Sequence, residues 1–244
     1  MPSHRGGRTK DHEGCQSMPA VRPDAIIFGV TETLFDLTPL RTSFAAAGLP
    51  GEALELWFAR VLRDGIAHAA AGTFAAFPDL AAFHLGQLLE GRADQPDAHV
   101  ARILDALRDL PAHPDVEPAL GRLRDGGVRL ATLSNGTVEL TSRWLDQSGL
   151  RGYFAQVLDV SGAMLWKPRR EPYVNAAKQL GVAVELCAVI SVHPWDVHGA
   201  TCAGMMAGWL DRQHRTYPEL MNPPTVQART LDELARRLLD RPRW

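Results

Sequence analysis

The sequence predicts an α/β fold, a Rossmannoid parallel sheet flanked by helices with an α-helical cap inserted after the first strand. Two observations predict this fold. From residue 24 onward, short apolar runs alternate with amphipathic helical stretches, and strand–helix–strand order implies parallel strands joined by right-handed crossovers. After the first apolar run, however, several helical patterns follow one another without a convincing strand.

The predicted strands are short apolar runs rich in β-branched residues, which is typical of strands buried on both faces. Four of them occupy residues 25–30, 128–135, 156–163 and 186–192. Towards the end of the chain, residues 207–213 and 225–244 supply a late strand, a connecting segment and a terminal helix.

Three helices are predicted between these strands, because apolar residues recur there at helical spacing. They cover residues 115–127, 137–150 and 170–182. Glycines stand where the C-caps of these helices are expected, at Gly126-Gly127, Gly149 and Gly181.

The domain organisation follows from these patterns. Residues 1–22 are polar and glycine-rich without an apolar core, so they are predicted to be a flexible N-terminal tail and not a secretory signal. Residues 38–113 carry four helical patterns and are predicted to form a helical cap domain over the strand ends. Residues 23–37 and 114–244 together form the predicted core domain.

Composition excludes several classes of function. The chain has 26 basic and 28 acidic residues, a net charge of −2, and no basic stripe, so no nucleic-acid partner is expected. No apolar run approaches the roughly 20 residues that a membrane helix needs. The three cysteines include no C-x-x-C pair, which favours a reducing cytoplasm. We therefore expect a cytoplasmic protein that acts on a small-molecule substrate.

Four separated segments, taken in order, resemble the motifs of the haloacid dehalogenase (HAD) superfamily, and their details are closest to 2-haloacid dehalogenase type II. They are FGVTETLFDL (28–37), LSNGT (133–137), KPRREPY (167–173) and SVHPWDVHGA (191–200). The resemblance covers about residues 24–240. It implies a HAD-like core, and it places the helical block where that branch carries its cap.

Candidate catalytic residues follow from these motifs. Ser134 and Asn135 end the second strand with a hydroxyl and an amide, which can bind a carboxylate or a developing anion. Lys167 places a compact cation in the pocket. By resemblance, Asp196 is the carboxylate that orients Lys167 and the attacking water, and Tyr173 is the pocket tyrosine that binds substrate.

Three further positions complete the predicted site. Ser191 matches another site position of the branch, and Thr33, in the loop after the first strand, is expected to bind substrate. His193 stands where the branch commonly has asparagine, and it is either an acid or base or a hydrogen-bonding substitute. His193 and His198 lack the accompanying cysteine or carboxylate cluster of a metal site, so no metal and no cofactor are expected.

Gly29 is the main departure from the family. The resemblance places there the aspartate that attacks the substrate and becomes a covalent ester, a step that glycine cannot perform. Thr31 stands where a phosphatase of the superfamily has a second acid. None of Glu32, Asp36 and Asp24 is a good replacement, and Glu32 is expected to point away from the site.

A second departure lies in the predicted cap. The branch carries an arginine there after a Leu-Trp pair, whereas the segment LELWFAR has Phe58 at that position. Arg60 follows two residues later, on a different helical face. Phe58 is therefore a predicted substrate-binding residue for a larger, less polar substrate, or else packs in the core.

Three functions remain open from the sequence. The first is an enzyme without a covalent intermediate, which stabilises a leaving group during ring closure or elimination, with natural-product biosynthesis as its natural setting. The second is an inactive HAD-like binding or scaffolding protein, or one whose site is completed by a partner protein or a second copy in a homodimer. The third is a 2-haloacid dehalogenase in which Gly29 is an engineered substitution.

Overall fold

The computed structural model describes residues 21–92 and 94–243. The predicted flexible tail therefore lies outside the described residues, except for its last two positions. A parallel sheet flanked by helices forms the centre of the described chain, which confirms the predicted fold class.

The sheet has six parallel strands in the order β3-β2-β1-β4-β5-β6. The central strand β1 pairs with β2 on one side and with β4 on the other. Strand order reverses at β1, so the carboxyl ends of β1 and β4 flank the crevice where ligands bind in open α/β sheets. The strands are β1 (Ala25–Phe28), β2 (Arg129–Ser134), β3 (Gln156–Asp159), β4 (Cys187–Ser191), β5 (Met206–Leu210) and β6 (Val226–Ala228).

Alternate residues of β1 pack on opposite faces of the sheet, as the period of two requires. Ile26 and Phe28 belong to one buried apolar cluster, and Ala25 and Ile27 belong to the other. All four side chains are fully buried. This strand therefore holds the loop that follows it, which begins with Gly29, firmly against the core.

Two predictions about strands were wrong. We predicted that β3 would be buried on both faces, but only Leu158 of this strand is buried. The reason is that β3 lies at the edge of the sheet and has a partner on one side only. One late strand was expected, whereas the structure has both β5 and β6, the latter at the start of the predicted 225–244 segment. Three residues are enough for this short edge strand to pair with β5.

Nine α-helices occupy the described part of the chain, and the predicted C-cap glycines at Gly127 and Gly181 adopt positive φ angles of 82° and 64°. Four helices lie between β1 and β2: α1 (Leu40–Ala46), α2 (Ala53–Ala70), α3 (Phe77–Leu89) and α4 (Pro96–Ala106). The others flank the sheet: α5 (Val116–Asp125), α6 (Val138–Gln147), α7 (Arg170–Leu180), α8 (Pro194–Ala203) and α9 (Leu231–Leu239).

The four helices α1–α4, called the helical block below, pack on the carboxyl ends of the strands through a shared apolar cluster. The indole of Trp57 on α2 is fully buried and donates to the carbonyl oxygen of Ala81 on α3 at 3.0 Å, which ties these two helices together. The cap and core boundaries at residues 38 and 113 stay predictions. Among the described helices, none is long and apolar enough to cross a membrane.

Candidate active site

A small cavity lies between the carboxyl ends of the strands and the helical block. The volume open to the centres of water molecules is about 30 Å³, which is room for about two waters. The core contributes Gly29, Val30, Thr31, Ser134, Asn135, Gly136, Lys167, His193, Trp195 and Asp196 to its lining, and the helical block contributes Phe58, Leu62 and Phe77.

One wall of the cavity carries a buried ion pair. The Nζ atom of Lys167 lies 2.8 Å from Oδ2 of Asp196, and both side chains are almost completely buried. The hydroxyl of Tyr173 donates to the other carboxylate oxygen, Oδ1, at 2.6 Å. Burial, and then the negative charge of Asp196, raises the pKa of Tyr173 well above its usual range, so this hydroxyl keeps its proton.

The backbone of Lys167 is held by Asn135. Its N–H donates to Oδ1 of Asn135 at 2.9 Å, and Nδ2 of Asn135 donates to its carbonyl oxygen at 3.4 Å. A lysine ammonium has three N–H donors, and among the described residues only Asp196 accepts from Nζ. Ser134 Oγ accepts from the N–H of Gly136 at 2.9 Å, so its own proton remains available to donate.

The backbone at Gly29 is closely surrounded by oxygen atoms. A Cβ atom built on this glycine would lie 3.0 Å from Ser191 Oγ, 3.1 Å from Thr33 Oγ1 and 3.2 Å from Asp196 Oδ2. Contacts this short require the neighbouring groups to move by a few tenths of an ångström. A side chain at position 29 would therefore require Ser191, Thr33 and Asp196 to shift.

A second pair of side chains meets at the cavity, on another part of its wall. Nε2 of His193 is 2.8 Å from Oε2 of Glu32, although Glu32 was expected to point away from the site. Glu32 does not line the cavity itself but reaches it through His193. The imidazole stacks on Trp195 with ring centroids 5.2 Å apart and also faces Phe58 of the helical block at 6.0 Å.

The structure brings most of the predicted site residues together at the cavity and places three of them outside its lining. The residues at the cavity are Gly29, Phe58, Ser134, Asn135, Lys167, His193 and Asp196. The predicted substrate-binding residues Thr33, Tyr173 and Ser191 are instead fully buried behind it. Their hydroxyls are engaged within the protein: Thr33 accepts from Val192 N, Ser191 accepts from His193 N, and Tyr173 donates to Asp196.

Sequence reasoning missed several lining residues. Trp195 lies between His193 and Asp196 in a motif already identified, so its position could have been noticed. Leu62 follows Phe58 by one helical turn and shares its face. Phe77 begins a different helix, and no local pattern connects it to the site.

No group of three or more histidine, cysteine, aspartate or glutamate side chains suited to a metal ion occurs within residues 21–92 and 94–243. The polar side chains at this cavity are the Lys167–Asp196 ion pair, the hydrogen-bonded His193–Glu32 pair, the hydroxyls of Thr31 and Ser134, and the amide of Asn135. They can bind an anion, orient a polar group and exchange a proton.

A parallel sheet with charged groups at its strand ends, covered by inserted helices, defines an α/β protein suited to small-molecule chemistry. The sequence pattern of haloacid dehalogenase-like hydrolases matches residues 23–204, and the chain belongs to that family. Haloacetate dehalogenase H-2 of Moraxella sp. (strain B) is 27% identical over 215 residues, covering 86% of this chain and 96% of that protein.

Two further similarities extend over nearly the whole chain. (S)-2-Haloacid dehalogenase H-109 of Pseudomonas putida is 27% identical over 220 residues, covering 89% of this chain and 98% of that protein. The structure of L-2-haloacid dehalogenase from Xanthobacter autotrophicus with chloropropionic acid covalently bound superposes with a TM-score of 0.80. Its sequence is 22% identical, and the superposition covers 88% of this chain and 97% of that one. This similarity shows that the two proteins share a fold.

Proposed function

We propose that this chain acts non-covalently on a small molecule, binding the group that leaves while an internal nucleophile of the substrate closes a ring or while an elimination occurs. The observation that carries this proposal is the buried ammonium of Lys167 at the cavity wall. Among the described residues it uses one N–H on Asp196, so two remain for a departing anion. The hydroxyl of Ser134 supplies a further donor.

Gly29 is the reason to propose a reaction without a covalent intermediate. By family resemblance, this position carries the aspartate that forms an ester with the substrate, and glycine has no atom to form one. In the Xanthobacter relative, chloropropionic acid is covalently bound. Here the protein would contribute proximity and charge stabilisation instead.

The aromatic side chains at the cavity support a reaction in a space that holds little water. Phe58 and Phe77 from the helical block line the same cavity as Lys167, and this cavity has room for about two waters. Excluding water strengthens the attraction between the ammonium and a developing anion. This chemistry would suit natural-product biosynthesis, in which some enzymes release a leaving group while they close a ring.

The test is conversion of substrates that contain both a leaving group and a nucleophile. The purified protein would be incubated with 2-amino-4-bromobutanoate, with 2-haloacids and with a metabolite extract, and the products followed by mass spectrometry in ¹⁸O-water. We expect a product that has lost its leaving group without gaining ¹⁸O. It should be absent with Lys167→Ala and present with Lys178→Ala, which changes an exposed lysine.

A compound retained unchanged would contradict the proposal and favour a binding or scaffolding protein. A site that becomes active only after a partner chain or a second copy is added would favour completion by that partner. Purification from the native host followed by mass measurement separates these two cases.

Hydrolytic dehalogenation is the second candidate, because the relatives named above are dehalogenases. Gly29→Asp would then release halide from 2-haloacids and introduce ¹⁸O into the product. We expect no release, since the new side chain would enter the 3.0–3.2 Å shell formed by Ser191, Thr33 and Asp196. Phe58 at the position of the family's arginine also favours that result.

A further inference from the structure

We propose that Glu32 and His193 form a carboxylate-oriented general base at the cavity, which accepts the proton that the substrate loses as its leaving group departs. This inference rests on the proposed function, because it supplies the base for the same ring closure or elimination. It assigns a role to Glu32, a residue that the motifs gave no reason to select.

The hydrogen bond between the two side chains determines which ring nitrogen is basic. A carboxylate can only accept, so the 2.8 Å contact from Oε2 of Glu32 places the proton of the neutral imidazole on Nε2 of His193. The lone pair then lies on Nδ1. None of the described residues hydrogen-bonds to Nδ1, and His193 does not use it to cap α8, although it stands at the N-cap position.

Glu32 is held in place by both of its backbone polar groups. Its φ angle of 61° lies in the left-handed region that residues other than glycine seldom adopt. Its N–H donates to the carbonyl oxygen of Phe35 at 2.8 Å, and its own carbonyl oxygen accepts from Nε2 of His113 at 3.1 Å. Strained backbone of this kind persists where the surroundings over-determine it, and such sites cluster at functional positions.

The surroundings of His193 leave Glu32 as its dominant charged neighbour. The imidazole packs against the rings of Trp195 and Phe58, which are apolar. Lys167 and Asp196 line the same cavity as an ion pair of opposite charges, with Nζ of the lysine 5.9 Å from the Trp195 ring. Burial, and then the charge of Arg212, lowers the pKa of His113, so the imidazole behind Glu32 stays neutral.

The proton transfer balances for both reactions of the proposed function. In ring closure, the substrate's nucleophile bonds to carbon and gives its proton to Nδ1 of His193, while the leaving group departs with the electron pair of its bond. In elimination, Nδ1 takes a proton from the neighbouring carbon, and the freed pair forms the double bond as the leaving group departs. The imidazolium is stabilised by Glu32 and returns its proton to solvent.

The first test needs no natural substrate. Bromoacetate alkylates a basic imidazole nitrogen, forming an N–C bond while bromide leaves, and peptide mass spectrometry reports the rate at each histidine. We expect His193 to react faster than His198, which lies on α8 just after His193 and whose Nδ1 accepts from the N–H of Asn222. Glu32→Gln should slow the reaction at His193 about tenfold, whereas Glu171→Gln, which changes a surface carboxylate, should not.

Equal rates at His193 and His198, or no effect of Glu32→Gln, would overturn the inference. If the protein converts a member of the substrate panel, His193→Asn should lower kcat about 100-fold with little change in KM.

The outcomes separate this inference from the function on which it rests. Turnover that requires Lys167 but tolerates His193→Asn would contradict the base and keep the proposed function. Alkylation of His193 that depends on Glu32, in a protein that converts no substrate, would support the base and contradict the proposed function.

Discussion

Two walls of the cavity each carry a hydrogen-bonded pair of side chains, and the two pairs differ in burial, a difference that separates stability from reactivity. On one wall, the side chains of Lys167 and Asp196 are 4% and 1% exposed. On the other, those of His193 and Glu32 are 15% and 34% exposed, at the same separation of 2.8 Å. A hydrogen-bonded contact of 2.8 Å should therefore contribute differently to stability and to reactivity on the two walls.

Burial makes the first wall costly to disturb. Removing one member of a buried ion pair leaves an uncompensated charge in a medium of low dielectric constant. A partly exposed pair is screened by water and contributes little to folding. We therefore expect the Lys167–Asp196 pair to matter for the stability of the folded protein. We expect the imidazole of His193 to remain able to exchange a proton with substrate and solvent.

Asp196→Ala should produce the largest effect, because Lys167 would remain buried without a partner. The free energy of unfolding in urea should fall by about 3–5 kcal/mol. Asp232→Ala, which removes a surface carboxylate paired with Arg122, is the matched control and should cost about 0–1 kcal/mol. A similar loss in both variants would show that the buried pair has no special role.

Tyr173→Phe should have an intermediate effect. Loss of the 2.6 Å hydrogen bond leaves one oxygen of Asp196 unsatisfied, at a cost of about 1–3 kcal/mol at neutral pH.

The same variant should also change the dependence of stability on alkaline pH. The raised pKa of Tyr173 means that the folded state holds its proton above about pH 10, where the unfolded chain releases it. This contribution is fully present below that pH and is lost as pH rises through the folded pKa.

Urea unfolding between pH 8 and pH 11 should therefore show a shallower decline for Tyr173→Phe than for the unmodified protein. Burial raises the pKa of Cys187 to about 12, so this thiol contributes to the decline in both proteins. Tyr153→Phe, at a position outside the cavity, should keep the original slope. Identical slopes for all three proteins would refute the assignment to Tyr173.

The smallest effect is expected on the second wall. Glu32→Gly removes both the carboxylate and the unfavourable left-handed backbone of a side-chain-bearing residue, so stability should rise by about 1 kcal/mol. Glu32→Gln keeps the backbone cost and should change stability by less than about 0.5 kcal/mol. Thermal unfolding of the two variants distinguishes them, and destabilisation by Glu32→Gly would show that this loop is not strained.

Local patterns in the sequence were enough to determine the fold and one wall of the site. Alternating strands and helices predicted the parallel sheet, because periodicity reports which face of each element is buried. The motifs at strand ends predicted that Ser134, Asn135, Lys167 and Asp196 would meet. This prediction succeeded because the carboxyl ends of parallel strands converge at one edge of a sheet.

Only the tertiary structure decided which side chains face the cavity. Thr33, Tyr173 and Ser191 belong to the same motifs but are buried behind it, since packing turns their hydroxyls towards protein groups. Glu32 and His193 are 161 positions apart, and their contact depends on one left-handed backbone angle and on the rings beside the imidazole. The direction in which a side chain points depends on contacts between residues far apart in the sequence. The periodicity of a strand or helix depends only on residues close together in the sequence, so it can be recognised without the tertiary structure.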